Sequence, residues 1–324
     1  MSQAFRPHRR AVLTGLAAAI AGGCARTDAV LDGLVREDGR KPAEGGIGGT
    51  GIIGVVTALG SIRVNGLRVG FTPETRIEDV LGARSRASLR SGQSVTVEAA
   101  GLGRDLVAAR VRVDYPLVGA IDRVAGDGRS LTVLGTEVVL EPLAVALAGV
   151  GDRVAVSGLW DGDRVIAARV DLLRDDGPEA MAGVLRADGR LGGLYPLAAA
   201  GTLPEAGRFV TLTGRRDGER FVVASAREGR FEGAAGPLAR LSVEGFLEPV
   251  RSAPGVAVSG LGHSFDRGAD LSGVGARRGL FVGPYTGEFE VEAVLPLPSA
   301  ARERADLLSG LADIRSADGV IRTR

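Results

Sequence analysis

The chain has 324 residues, 50 of them glycine, with 4% aromatic residues and a formal net charge of +1. One cysteine and two histidines exclude a disulfide within the chain and zinc centres of the Cys/His kind. Losing Arg6, Arg9 and Arg10 with the N-terminal segment leaves 37 of the 40 basic residues against 39 acidic ones, a net of −2, without the basic footprint of a nucleic-acid binder.

Arg9 and Arg10 precede an apolar run, Ala11–Ile20, that ends in Ala21-Gly22-Gly23-Cys24. A basic start, a short apolar stretch and small residues before a cut site predict an export signal over residues 1–23, too short to span a bilayer. The paired arginines resemble a twin-arginine signal, and Cys24 stands where a bacterial lipoprotein carries its lipid. Ala25, in place of an inner-membrane retention aspartate, favours the outer membrane over the inner. Residues 24–51, rich in glycine and charge, read as a flexible tether. Gly46-Ile-Gly-Gly-Thr-Gly lacks the Lys-Ser/Thr of a phosphate cradle and reads as linker or bulge.

The folded part is written in repeats. Gly92–Val111 aligns without a gap with Gly151–Val170 at an offset of 59, and Gly207–Ala226 follows at an offset of 56. In the first copy (52–115), Gly54–Leu59 is a strand, and Ser61–Val64 with Leu67–Phe71 forms a hairpin on Asn65-Gly66, a type I′ signature. Thr72-Pro73-Glu74 reads as a cap leading into a short helix over Arg76–Leu81. Ser94–Ala99 alternates with Val95 and Val97 inward. The fifth strand is read with Val107, Ala109, Val111 and Val113 inward and Arg110 and Arg112 in water. Three strands, a helical link and two strands is the order of an OB-like Greek-key barrel. The second copy (116–174) repeats it with a last hairpin on Asp161-Gly162. The third (179–228) is shorter, with its second and third strands in doubt. Barrels of about 55 residues are marginal alone, so the copies are expected to pack on one another.

Gly92-x-x-Val95-x-Val97 and Gly151-Asp152-Arg153-Val154-x-Val156-x-Gly158, each followed by V/I-A-A-R-V, resemble the bacterial exported repeats of domain-of-unknown-function family 5666. The resemblance implies an exported, β-rich protein, often a lipoprotein, and carries no catalytic residues.

A degenerate fourth copy (229–298) is expected, with Val256–Gly260 as its fourth strand. There, 27 residues separate Gly260 from Glu288, where 5 separate Gly158 from Arg164. The resulting loop, 261–287, occupies a place that contacts ligands in OB-folds. It holds the binding candidates His263, Arg277, Arg278 and Tyr285, and Trp160 beside its turn is a further one. Glu288, Glu290 and Glu292 fall on one face of a predicted strand and form a metal candidate. Leu307, Leu308, Leu311 and Ile314 predict a short amphipathic helix within the tail, 299–324.

The reading is an all-β chain of tandem small OB-like barrels, about four copies with the last degenerate, ending in a short helix. Its expected role is a non-enzymatic envelope lipoprotein that binds or scaffolds another macromolecule, an envelope protein or a polysaccharide, without a cofactor. The alternatives are a small-ligand or metal-binding protein using loop 261–287 and, behind it, an envelope hydrolase.

Overall fold

A computed structural model describes residues 48–101, 106–142, 144, 148–199, 201–249, 256–262, 264–265 and 278–317. Arg9, Arg10, Cys24, His263 and Arg277 lie outside these residues.

The first unit runs through β1 (Gly49–Ala58), β2 (Ile62–Val64), β3 (Leu67–Asp79), the two-residue β4 (Gly82–Ala83), β5 (Ser94–Ala100) and β6 (Leu106–Val113). Strand β1 pairs with β2 and β5, β2 with β3, and β5 with β6, while β3 runs parallel to β6 and closes the barrel. The second unit repeats this pairing with β7 (Leu117–Val124), β8 (Ser130–Val133), β9 (Thr136–Leu140), β10 (Arg153–Asp161) and β11 (Arg164–Leu172). Both are the closed Greek-key barrels that the element order predicts. Asn65 and Gly66 sit at φ 56° and 72°, as a type I′ turn requires.

The predicted helix over Arg76–Leu81 is instead the second half of β3, where Arg76, Ile77 and Glu78 pair with Arg110, Val111 and Arg112. Pro73 cannot donate to a ladder, and the strand bulges around it and resumes. The helical element of the link is a single 3-10 turn, Arg86–Ser88.

A second bulge corrects the inward set of β6. Glu98 pairs with Arg110 but Ala99 with Ala108, so Ala109 is extra. Leu106 and Ala108 therefore point inward before the bulge and Val111 and Val113 after it, while Val107 is exposed. Arg110 and Arg112 keep their outward direction yet are buried, 3% and 2% exposed, because later parts of the chain cover them.

The third unit comprises β12 (Glu179–Val184), β13 (Tyr195–Ala198), β14 (Phe209–Asp217) and β15 (Arg220–Glu228). It keeps the pairings of the other copies, with the second strand reduced to one bridge between Leu191 and Leu194. The fourth unit comprises β16 (Leu238–Pro249), β17 (Val256–Val258), β18 (Ser264–Phe265), β19 (Arg278–Pro284) and β20 (Ala293–Pro296), followed by α1 (Ala301–Ala317).

Pairing corrects the alignment of this copy. Strand β16 pairs with both β17 and β19, and β19 with β20, so β17 holds the second-strand place and β19 the fourth. The expected loop 261–287 thus contains two strands, β18 and β19. Glu288, Glu290 and Glu292 sit in the turn between β19 and β20, where only Tyr285 and Phe289 bridge.

The units join in pairs. Strand β16 runs parallel to β1, and β12 pairs with β7, giving an eleven-stranded sheet from units one and four and a nine-stranded sheet from units two and three. Val118, Ala155 and Ala180 of units two and three enter the hydrophobic cluster of unit one. Leu308 and Leu311 of α1 pack on Leu280, Val282 and Leu295. The copies are packed on one another, as small barrels that bury too little alone require.

Candidate functional site

The bulge that takes Pro73 out of the β3–β6 pairing lies beside a surface groove of about 480 Å³, lined by Phe71, Thr72, Thr75, Ile77, Arg84 and Arg86 among others. The Thr72 amide donates to Thr75 Oγ1 at 2.9 Å, and that hydroxyl donates to the Ala108 carbonyl at 2.6 Å, so the bulge is fixed from within. Phe71 rests its inner edge on the core of the first barrel and leaves the ring half-buried.

Two arginines, Arg84 and Arg86, line the groove with this ring. The Arg86 guanidinium lies 4.7 Å from the Phe71 centroid, at cation–π distance, and donates to the Gly60 carbonyl. Arg68 Nε donates to Ser61 Oγ at 2.8 Å. Both anchors fall on the loop between β1 and β2, a loop that contacts ligands in OB-folds. Leu59 stands 52% exposed on it. Arg84 is fixed by Asp79 at 2.5 Å, and this hydrogen bond raises the guanidinium above its ordinary value.

Residues 59–92 hold six arginines against Glu74, Glu78 and Asp79. Arg84 and Arg86 are the charged side chains that line the groove, Arg84 paired with Asp79, and no acidic side chain lines it. An aromatic face, two threonines and clustered guanidinium groups suit a hydroxyl-bearing anionic ligand.

The described residues among those singled out from sequence lie elsewhere. Trp160 is buried, its Nε1 donating to the Ala182 carbonyl at 2.8 Å, so its ring packs between units two and three rather than offering a stacking face. Arg278 is buried, not in a loop. It bonds Glu244 Oε1 from Nη2 at 2.8 Å and Glu141 Oε1 from Nη1 at 2.7 Å. Tyr285 is half-buried, its ring centroid 6.0 Å from that of Phe231, and burial raises its phenol. Glu288, Glu290 and Glu292 are exposed, and Glu292 pairs with Arg240 at 3.0 Å. Among the described residues no three His, Cys, Asp or Glu side chains are arranged to hold a metal ion.

Sequence reasoning passed over Phe71, Arg86 and Leu59. Phe71 continues the inward alternation of Leu67 and Val69, so the pattern makes it a core residue. The signal that marks it is Pro73, two positions later, because a proline inside a strand implies a bulge.

Residues 50–112 and 118–171 each match the model of a domain of unknown function, DUF5666. The two matches fall on the two closed barrels. No curated protein and no solved structure matches the chain.

Proposed function

We propose that this chain is a non-enzymatic binding module of the cell envelope, and that the first barrel recognises an anionic polysaccharide. The observation that carries this reading is the groove at the β3 bulge, where Phe71 stacks with Arg86 beside the loop between β1 and β2. Sugar rings pack on an aromatic face, and guanidinium groups donate to carboxylate or phosphate substituents in forked pairs. In this reading the export signal and a lipid on Cys24 hold the barrels at the membrane surface, the outer membrane favoured.

The test is calorimetric titration of the protein with an acidic and a neutral polysaccharide of the same chain length. Phe71→Ala and Arg86→Ala are each expected to weaken acidic-glycan binding about 10-fold, the scale of one good contact of 1–2 kcal/mol. The neutral glycan is expected to bind weakly in all three proteins. Equal affinity for both glycans, or unchanged affinity in both variants, refutes the reading.

A further inference from the structure

Away from the groove, the outer face of β6 meets the segment that follows β15. Four guanidinium groups and four carboxylates share this layer, unevenly. At one end Arg110 has three acidic partners, Glu232 at 2.8 Å, Glu98 at 3.2 Å and Glu78. Arg227 shares Glu232 at 2.9 Å, and the Glu232 and Ala234 amides donate to Glu98 at 2.9 and 2.7 Å. The segment is thereby clasped onto the first barrel.

At the other end a single carboxylate serves two cations. Asp114 accepts Arg112 Nε at 2.8 Å and Arg230 Nη1 at 3.0 Å, together with the Thr96 hydroxyl at 2.5 Å. Arg230 is further fixed by donating to the Gly260 carbonyl at 2.7 Å and by lying 3.9 Å from the Phe209 centroid. Both terminal nitrogens of Arg112, and the Nε atoms of Arg227 and Arg230, are buried without a hydrogen-bond partner. Leaving such donors unmatched is costly, the more so on a charged group. The layer is balanced as a whole, but around Asp114 one carboxylate faces two guanidinium groups, and the unmet N–H groups of Arg112 and Arg230 lie at that same end. Burial and the neighbouring Arg112 also lower the Arg230 guanidinium to about 10, and burial with Arg112 lowers Arg227.

We propose that Arg112, flanked by Arg227 and Arg230, is the centre of a binding site for a small inorganic anion of chloride size, held between the first barrel and the segment after β15. The orphaned N–H groups supply the donors and the local charge supplies the attraction. Closure of the layer around Arg112, 2% exposed, selects a compact anion over a polyatomic one. Because the site uses groups from both sides of the layer, an anion bound there tightens the junction.

The full chain is melted at constant ionic strength while chloride replaces gluconate. Specific binding raises the melting temperature by roughly 2–4 °C at about five times the Kd, since a ligand of the native state stabilises it. Arg112→Met is expected to abolish this chloride response. A response retained in the variant overturns the proposal. Crystals of the unaltered protein grown in bromide give a readout that does not depend on the variant folding. An anomalous peak within about 3.5 Å of the Arg112 terminal nitrogens supports the site. Its absence overturns it and leaves water as the partner of those N–H groups.

Discussion

Asn65 and Leu134 occupy the same corner of the two closed barrels and solve it differently. Both take positive φ, 56° and 50°, and both fold over a glycine of the first strand. A Cβ on Gly54 would lie 2.1 Å from Asn65 Oδ1, and one on Gly119 2.9 Å from Leu134 Cγ. Leu134 fills core space, whereas Asn65 Nδ2 donates to the Ile53 and Ser242 carbonyls at 2.9 and 3.0 Å and so ties the first barrel to β16. The turn was legible from Asn-Gly, but the tie was not, because Ser242 is 177 residues away. Tyr115 gives this scale its pH signature. Burial in the seam, with Asp79 and Asp171 adding to it, pushes its phenol up to about 12. A folded-state value above the unfolded one of about 10 gives a contribution fully present below pH 10 and lost as pH rises through 12. Urea titrations at pH 9 and pH 12 are expected to show a fall that includes on the order of 2 kcal/mol from this phenol. Tyr115→Phe keeps the ring and should remove that part of the slope, and an unchanged slope would show that Tyr115 ionises freely.

At the scale of the element, what the sequence shows and what it conceals divide along the reach of the causes. Alternation of Val95 with Val97, and the Asn-Gly and Asp-Gly turns, are set by neighbours in the chain, and those strands and hairpins fall where they are read. The second half of β3 reads as a helix because its Thr-Pro-Glu start has local cap chemistry, while its pairing with β6 is distant. The glycines at 48–51 read as linker or bulge, and the structure places them at the start of β1 with a register shift between Gly49 and Thr50. They allow β1 to approach β16, since a Cβ on Gly48 would lie 2.5 Å from Ala239 Cβ and one on Gly51 2.5 Å from Leu241 Cδ2. The groove around Phe71 has no sequence motif, because it forms beside a bulge. Repeat glycines Gly158 and Gly214 mark the bulges in β10 and β14. A Cβ there would lie 2.3 Å from the Ile166 carbonyl oxygen and 2.0 Å from that of Val222, backbone atoms that cannot step aside. Gly158→Ala is therefore expected to lower stability by more than about 2 kcal/mol in urea titration. A cost below about 0.5 kcal/mol would mean that the bulge relaxes and does not fix the register.

The whole molecule is held closed by a second buried ionic cluster, which joins parts far apart in the chain. Glu141, in the connection after β9 of the second unit, accepts Arg278 Nη1 at 2.7 Å and Arg304 Nη2 at 2.6 Å. Glu244 of β16 accepts Arg278 and also the Val55 amide at 3.1 Å. The second barrel, the fourth unit and α1 thus meet on two carboxylates, 9% and 2% exposed. Desolvating these charges is expensive, so the cluster adds little net stability over an apolar seam, but losing one partner strands the others. Glu141→Gln keeps the shape, removes one negative charge and leaves two guanidinium groups sharing Glu244. The expected cost is about 3–5 kcal/mol, and its location is the sharper prediction. Because α1 reaches the second barrel through Glu141, hydrogen exchange should accelerate first in residues 301–311, then in β19 and β20. Strands β2 and β3, closed within the first barrel, should keep their protection. Arg304→Met removes only the helix side of the cluster and should speed exchange in α1 alone, since Arg278 still bridges Glu141 and Glu244. If Glu141→Gln instead speeds exchange evenly through both sheets, the two sheets unfold as one unit and the cluster is not where they separate.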